Sequence, residues 1–92
     1  MLQGCVVYLL RGKEQDMDVT VDGTDFCVHE GYVSEYGTNL RYDPATGEGY
    51  QIANGRRVAL TSYEAFGSDL NRASELAKRW CEKAQNAWDT VA

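Results

Sequence analysis

Between Glu14 and Glu35 the chain contains no lysine and no arginine, while seven carboxylates (Glu14, Asp16, Asp18, Asp22, Asp25, Glu30 and Glu35) fall in that stretch. A one-signed run of this kind repels nucleic acid and attracts basic protein grooves. Long apolar runs are missing too. The longest, Cys5 to Leu10, has six residues, against the roughly 20 that a membrane helix needs. Met1-Leu2-Gln3-Gly4 carries no basic segment and no small-residue cleavage site, so no secretory leader is expected. The three cysteines, Cys5, Cys27 and Cys81, are odd in number and widely spaced. They exclude a disulfide framework and point to buried thiols in a reducing cytoplasm. P-loop, GxGxxG, GxSxG, HExxH and paired CxxC motifs are all lacking. Neither an enzyme nor a cofactor is therefore expected.

What is present is globular. Of 92 residues, 43% are hydrophobic and 11% aromatic, enough for one small domain. The net charge of −5 is unevenly spread: the first fifty residues hold nine acids and three bases, the rest five acids and six bases.

The order of elements follows from periodicity. Cys5 to Leu10 predicts a strand buried on both faces. Met17, Val19 and Val21 alternate with polar residues up to Asp22-Gly23, beyond which Phe26 and Val28 alternate with Asp25, Cys27 and His29. A two-residue Asp-Gly loop predicts a hairpin pairing Val21 with Thr24, Val19 with Phe26 and Met17 with Val28. Asp16, Asp18, Thr20, Asp25, Cys27 and His29 then share its outer face. Glu30 to Thr38 reads as a short strand or an ordered loop. A second hairpin turns at Asp43-Pro-Ala-Thr-Gly47. For the next turn, Ala53-Asn54-Gly55, a three-residue loop with Tyr50 opposite Val58 is preferred, because it gathers the apolar residues on one face. From Leu70 to Val91 the spacing of Leu70, Ala73, Ala77, Trp80, Ala84, Ala87 and Val91 predicts an amphipathic helix, with Ser68 as N-cap and Asp69 in its first turn. Thr61 to Glu64 is expected to cap a short turn before it. The expectation is an α+β domain over residues 1–92: four to six short antiparallel strands within 1–60, and a helical segment in 61–92 packed on their apolar face.

Some local patterns invite chemistry. Cys27-x-His29 would place a thiol and an imidazole on one strand face, but a carboxylate-rich setting weakens the thiol and a zinc site needs more ligands. The acids from Asp16 do not fit a calcium loop, whose fifth, sixth and twelfth positions would be Thr20, Val21 and Cys27. No metal is expected. Arg56 and Arg57, with Arg41, form a basic hairpin tip that offers a nucleic-acid alternative. Asn39 to Gly47 (NLRYDPATG) resembles the YDPxTG turn of RHS-repeat proteins over nine residues; this likeness implies a hairpin and no function.

The acidic run has two readings. It is either a solvated sheet face that discourages edge pairing, or a surface for a Lys/Arg-rich partner, with Asp16, Asp18, Asp22, Asp25, Glu30 and Glu35 as charges and Tyr32 and Tyr36 as anchors. In size, acidity, lack of enzyme motifs and sheet-plus-helix build, the chain is similar to phage-encoded anti-defence proteins of the anti-CRISPR type. That resemblance implies a cytoplasmic inhibitor occupying the basic, nucleic-acid-binding surface of a larger assembly. It would contact neither membrane nor nucleic acid directly, and a monomer is expected over a homodimer. The alternative is a structural or self-associating module, antitoxin-like or virion-associated, that uses Trp88 and Val91 of the helix.

Overall fold

A computed structural model describes residues 16–91. Six antiparallel strands, β1 (Met17–Val21), β2 (Thr24–Val28), β3 (Val33–Glu35), β4 (Leu40–Asp43), β5 (Glu48–Ala53) and β6 (Arg56–Val58), lie side by side in chain order. Two 3-10 turns, Leu60–Ser62 and Glu64–Phe66, lead to the helix α1 (Leu70–Val91), which covers one face of the sheet. The domain is α+β, and the strand expected at Cys5–Leu10 lies outside the described residues.

The first hairpin has the register its turn dictates: Met17 opposite Val28, Val19 opposite Phe26 and Val21 opposite Thr24. Asp22 (φ 48°) and Gly23 (φ 81°) both adopt positive φ, the two-residue geometry whose twist matches the flanking strands. The same geometry recurs at Asn54 (φ 53°) and Gly55 (φ 74°), and it corrects the three-residue loop expected there. Ile52 faces Arg57 and Gln51 faces Val58. Turn chemistry outweighs the grouping of apolar residues, so Gln51 points to the helix side and donates to the Ala59 carbonyl at 3.3 Å, while Tyr50 and Ile52 point outward. The segment left open between strand and loop contains the three-residue strand β3, with Val33 opposite Val28 and Tyr42.

The helix N-terminus sits one residue beyond the expected cap. The Asp69 carboxylate accepts from the backbone N–H groups of Asn71 (2.9 Å) and Arg72 (3.3 Å), so Asp69, and not Ser68, is the N-cap. The preceding 3-10 turns have no side-chain cap, and Thr61 to Glu64 does not act as one. Glu75 and Arg79 pair at 3.6 Å on the exposed face.

Phe26, Val28, Val33, Leu40, Tyr42 and Leu60 meet Trp80, Ala84 and Ala87 in the core. At Gly49 of β5 the packing is tight: a Cβ there would stand 2.6 Å from Cys81 Sγ of the helix and 2.7 Å from Leu60 Cδ1. Only glycine lets the helix sit so low. Three polar contacts tie it to the sheet: Trp80 Nε1 donates to Glu35 Oε1 at 2.8 Å, the Tyr42 hydroxyl to Gln85 Oε1 at 2.6 Å, and Lys83 Nζ to Thr24 Oγ1 at 3.2 Å. Burial raises the pKa of the Tyr42 hydroxyl and of the Cys81 thiol, keeping both in their neutral forms.

Candidate interaction face

The helix occupies one face of the sheet; alternation along the strands assigns the other. Its middle row runs Asp18, Cys27, Ser34, Arg41, Tyr50 from β1 to β5, by the cross-strand pairs Asp18–Cys27, Cys27–Ser34, Ser34–Arg41 and Arg41–Tyr50. Asp16, Asp25, His29, Tyr32, Tyr36 and Arg57 flank this row.

The face is graded in charge. At the β1–β2 end, Asp16 (just before β1), Asp18 and Asp25 are all exposed, and among the described residues no lysine or arginine pairs with them. Each has its Oδ1 held by a neighbour. Asp25 accepts from Thr20 Oγ1 at 2.8 Å, Asp18 accepts from the Tyr36 hydroxyl, and Asp16 faces His29 Nδ1 at 3.3 Å. Such contacts fix the carboxylate rotamers and leave Oδ2 for an incoming donor. The bond to Asp18, followed by contact with Cys27, raises the pKa of the Tyr36 hydroxyl above the ordinary tyrosine value.

The opposite end carries arginine and aromatic rings. The Arg57 guanidinium lies over the Tyr50 ring at 4.2 Å, and that of Arg41 over Tyr32 at 5.0 Å. Tyr32 stacks in turn on His29, with centroids 4.3 Å apart. Covering by neighbours leaves these rings less free to take a nucleic-acid base, while cation–π contact steadies the arginines.

Of the residues expected in a partner site, Asp16, Asp18, Asp25 and Tyr36 are brought together. Asp22 lies at the hairpin tip, by a surface recess that it lines with Arg79, Glu82, Lys83 and Asn86 of the helix. Glu30 is exposed in the β2–β3 turn, and Tyr32 joins the arginine end. Glu35, expected in a loop among the tyrosines, instead ends β3 on the helix side as the acceptor for Trp80. Strand alternation reverses it relative to Ser34. Arg41 and Arg57 share the outer face, whereas Arg56 pairs opposite Ala53 at the turn. Tyr50 and Ser34 belong to the face and were missed. For Tyr50 the signal was its place opposite Arg41 in the second hairpin.

His29 Nε2 stands 2.8 Å from Ser34 Oγ, completing a carboxylate–imidazole–hydroxyl order also found in hydrolases. Ser34 lies in mid-sheet, however, paired with Cys27 on one side and Arg41 on the other. The ladders engage the backbone donors that would have to converge on an oxyanion. The row links three strands, and we assign it no chemistry. Cys81 packs at Gly49 under the helix, on the far side of the sheet from Cys27 and His29. Among the described residues no three potential ligands converge as a metal site requires, and no helix is long and apolar enough to cross a membrane.

No family model, curated protein or solved structure matches the chain.

Proposed function

We propose that this protein is a binding protein whose β1–β2 face docks on a lysine- and arginine-rich protein surface and, where that surface normally holds nucleic acid, inhibits the assembly it belongs to. One observation carries the reading: Asp16, Asp18 and Asp25 stand on one exposed face, each fixed through one oxygen and none paired with a base among the described residues. A purely solvating face has no need of fixed rotamers, and interspersed bases would relieve its self-repulsion. Tyr36, 53% exposed, supplies a flat amphipathic anchor beside the charges. Docking by this route is steric and electrostatic, with carboxylates displacing phosphates from arginine and lysine.

Self-association through the helix has less support. Trp88 and Val91 are half-buried and pack against the core, leaving Leu70, 66% exposed, as the large apolar residue that α1 offers to solvent.

A labelled nona-arginine peptide tests the electrostatic claim. The wild-type chain should bind it at about 0.1 M salt and release it at about 1 M, where the Debye length falls to about 3 Å. The variant D16N/D18N/D25N should lose at least about tenfold in affinity, a difference of about 1.4 kcal/mol. The control E64Q/E75Q/D89N removes the same charge elsewhere and should bind almost as well as wild type. Equal weakening by both triples would reduce the effect to net charge and defeat the proposal.

A further inference from the structure

We infer that the outer sheet face is self-complementary and also binds a second copy of this chain, the acidic end of each copy meeting the arginine end of the other. The inference goes beyond the docking of a basic partner and departs from the monomer expected from sequence.

Two separate features of the face support it. Asp18 and Asp25 occupy β1 and β2, with Asp16 just before β1, while Arg41 and Arg57 occupy β4 and β6. Both ends are preorganised: the carboxylates are fixed through Oδ1, and the guanidinium groups rest on Tyr32 and Tyr50. Neither arginine pairs with a carboxylate among the described residues. A planar guanidinium stacked on a ring keeps its N–H fork at the rim, available to a carboxylate.

Symmetry then selects the partner. In a two-fold dimer one patch meets itself, so that residue i contacts j and j contacts i. For two sheets stacked face to face, an axis parallel to the strands midway between β3 and β4 exchanges β1 with β6, β2 with β5 and β3 with β4, and preserves level along the strands. Level is fixed by the observed register. Arg57 is level with Ile52, Ile52 with Asn39, and Tyr36 with Asp25 and Thr20. Exchange therefore sets Arg57 of each copy over the strand of Thr20 in the other, between Asp25 and Asp18. Arg41 lies near the axis above the row of Ser34. Glu48, also on this face, falls over His29. Sheets so packed stand about 10 Å apart, within reach of arginine and carboxylate side chains extended toward each other.

Both copies carry −5, so salt screens a long-range repulsion as well as the local pairs, and charge exchange is the cleaner test. Sedimentation equilibrium of the intact chain over rising concentration should show wild type moving from monomer to dimer. Arg57→Glu and R41E/R57E should remain monomeric, as should D18R/D25R. An equimolar mixture of R41E/R57E with D18R/D25R should restore the dimer, because one of the two symmetric contacts then has its charges reversed on both sides and the other is wild type. R41E/R57E carrying a fluorescent label and followed alone should not be drawn into dimers by E75R/E82R, which moves the same charge to the helix and keeps a wild-type outer face. Arg57→Gln keeps an amide at the site and should weaken the dimer without reversing charge, and circular dichroism checks that each variant is folded. A wild type monomeric throughout, a dimer indifferent to both Arg57→Glu and Arg57→Gln, or equal association with the helix control would overturn the inference. Arg57→Glu should bind nona-arginine at least as well as wild type, because it frees Asp18 and Asp25 from the dimer, which separates failure here from failure of the docking proposal.

Discussion

The two faces of the sheet are built from the same strands by alternate residues, and they are held together in opposite ways. Under the helix, Phe26, Val33 and Leu40 are at most 1% exposed, and the polar contacts there, Glu35 with Trp80 and Tyr42 with Gln85, join parts of the chain more than forty residues apart. On the outer face the contacts are short and lateral, each side chain touching one or two neighbours across a strand or two. Burial makes the first face the source of stability. Charge and preorganisation at low burial suit the second to recognition. Substitutions on the first should therefore change folding and leave binding surfaces intact in whatever remains folded, and substitutions on the second should do the reverse.

Trp80→Ala should break the contrast most severely. It removes the ring tilted against Phe26 at a centroid distance of 5.7 Å and strands the Glu35 carboxylate beneath the helix, a loss of about 3–5 kcal/mol by urea unfolding. Trp80→Phe should be milder and separate the hydrogen bond from the volume. Gly49→Ala comes next, at about 1–3 kcal/mol for overpacking. Pairing it with Cys81→Ala should recover part of the loss, since Sγ is the nearest obstacle; two additive losses would show that the helix does not rest there.

Tyr42→Phe should cost about 1 kcal/mol through its bond to Gln85, and it carries a pH signature. The folded state raises the Tyr42 pKa above its ordinary 10.0. Its contribution is thus complete below about pH 10 and is lost as pH rises, because the unfolded chain releases that proton first. Urea midpoints should begin to fall above pH 9, where the Cys81 thiol ordinarily ionises, and fall further above pH 10, less steeply there in Tyr42→Phe, with Tyr36 contributing in the same direction. The smallest effect on folding belongs to D16N/D18N/D25N, whose urea midpoint should match wild type while peptide binding is lost. A large drop in that midpoint would mean the two faces are not independent.

Legibility from sequence followed the range of the interaction that decides each feature. Asp22-Gly23 and the alternation around it settle their hairpin locally, and its register was readable in full. The helix was readable from its repeat, but its first residue was not, because Ser68 and Asp69 are both good caps and only the backbone's exit from Gly67 chooses between them. At Asn54-Gly55 two local rules disagreed. Gathering the apolar residues lost to the turn because Gly49 and Gln51 suit a face crowded by the helix, a fact absent from residues 49–60 themselves. Glu35 reads as one more acid in a row of seven until Trp80, forty-five residues later, supplies its donor. The acidic end of the outer face was therefore visible in advance, whereas its arginine–tyrosine end, assembled from β3 to β6, emerged only with the register.

Strict chain order in the sheet also sets a timetable. Among the described residues each strand pairs only with its predecessor and successor, so every step from β1 to β6 closes a short loop at small entropic cost. The helix is the late arrival, and it alone reaches back to Glu35 and Tyr42. At a synthesis rate of roughly 5–20 residues per second, the interval between β6 and the end of α1 is on the order of seconds. During it Phe26, Val28, Val33 and Leu40 face water on a nascent sheet. The carboxylates of β1 and β2 are already in place by then, and their charge discourages strand pairing between nascent chains along β1 until the helix closes over the core.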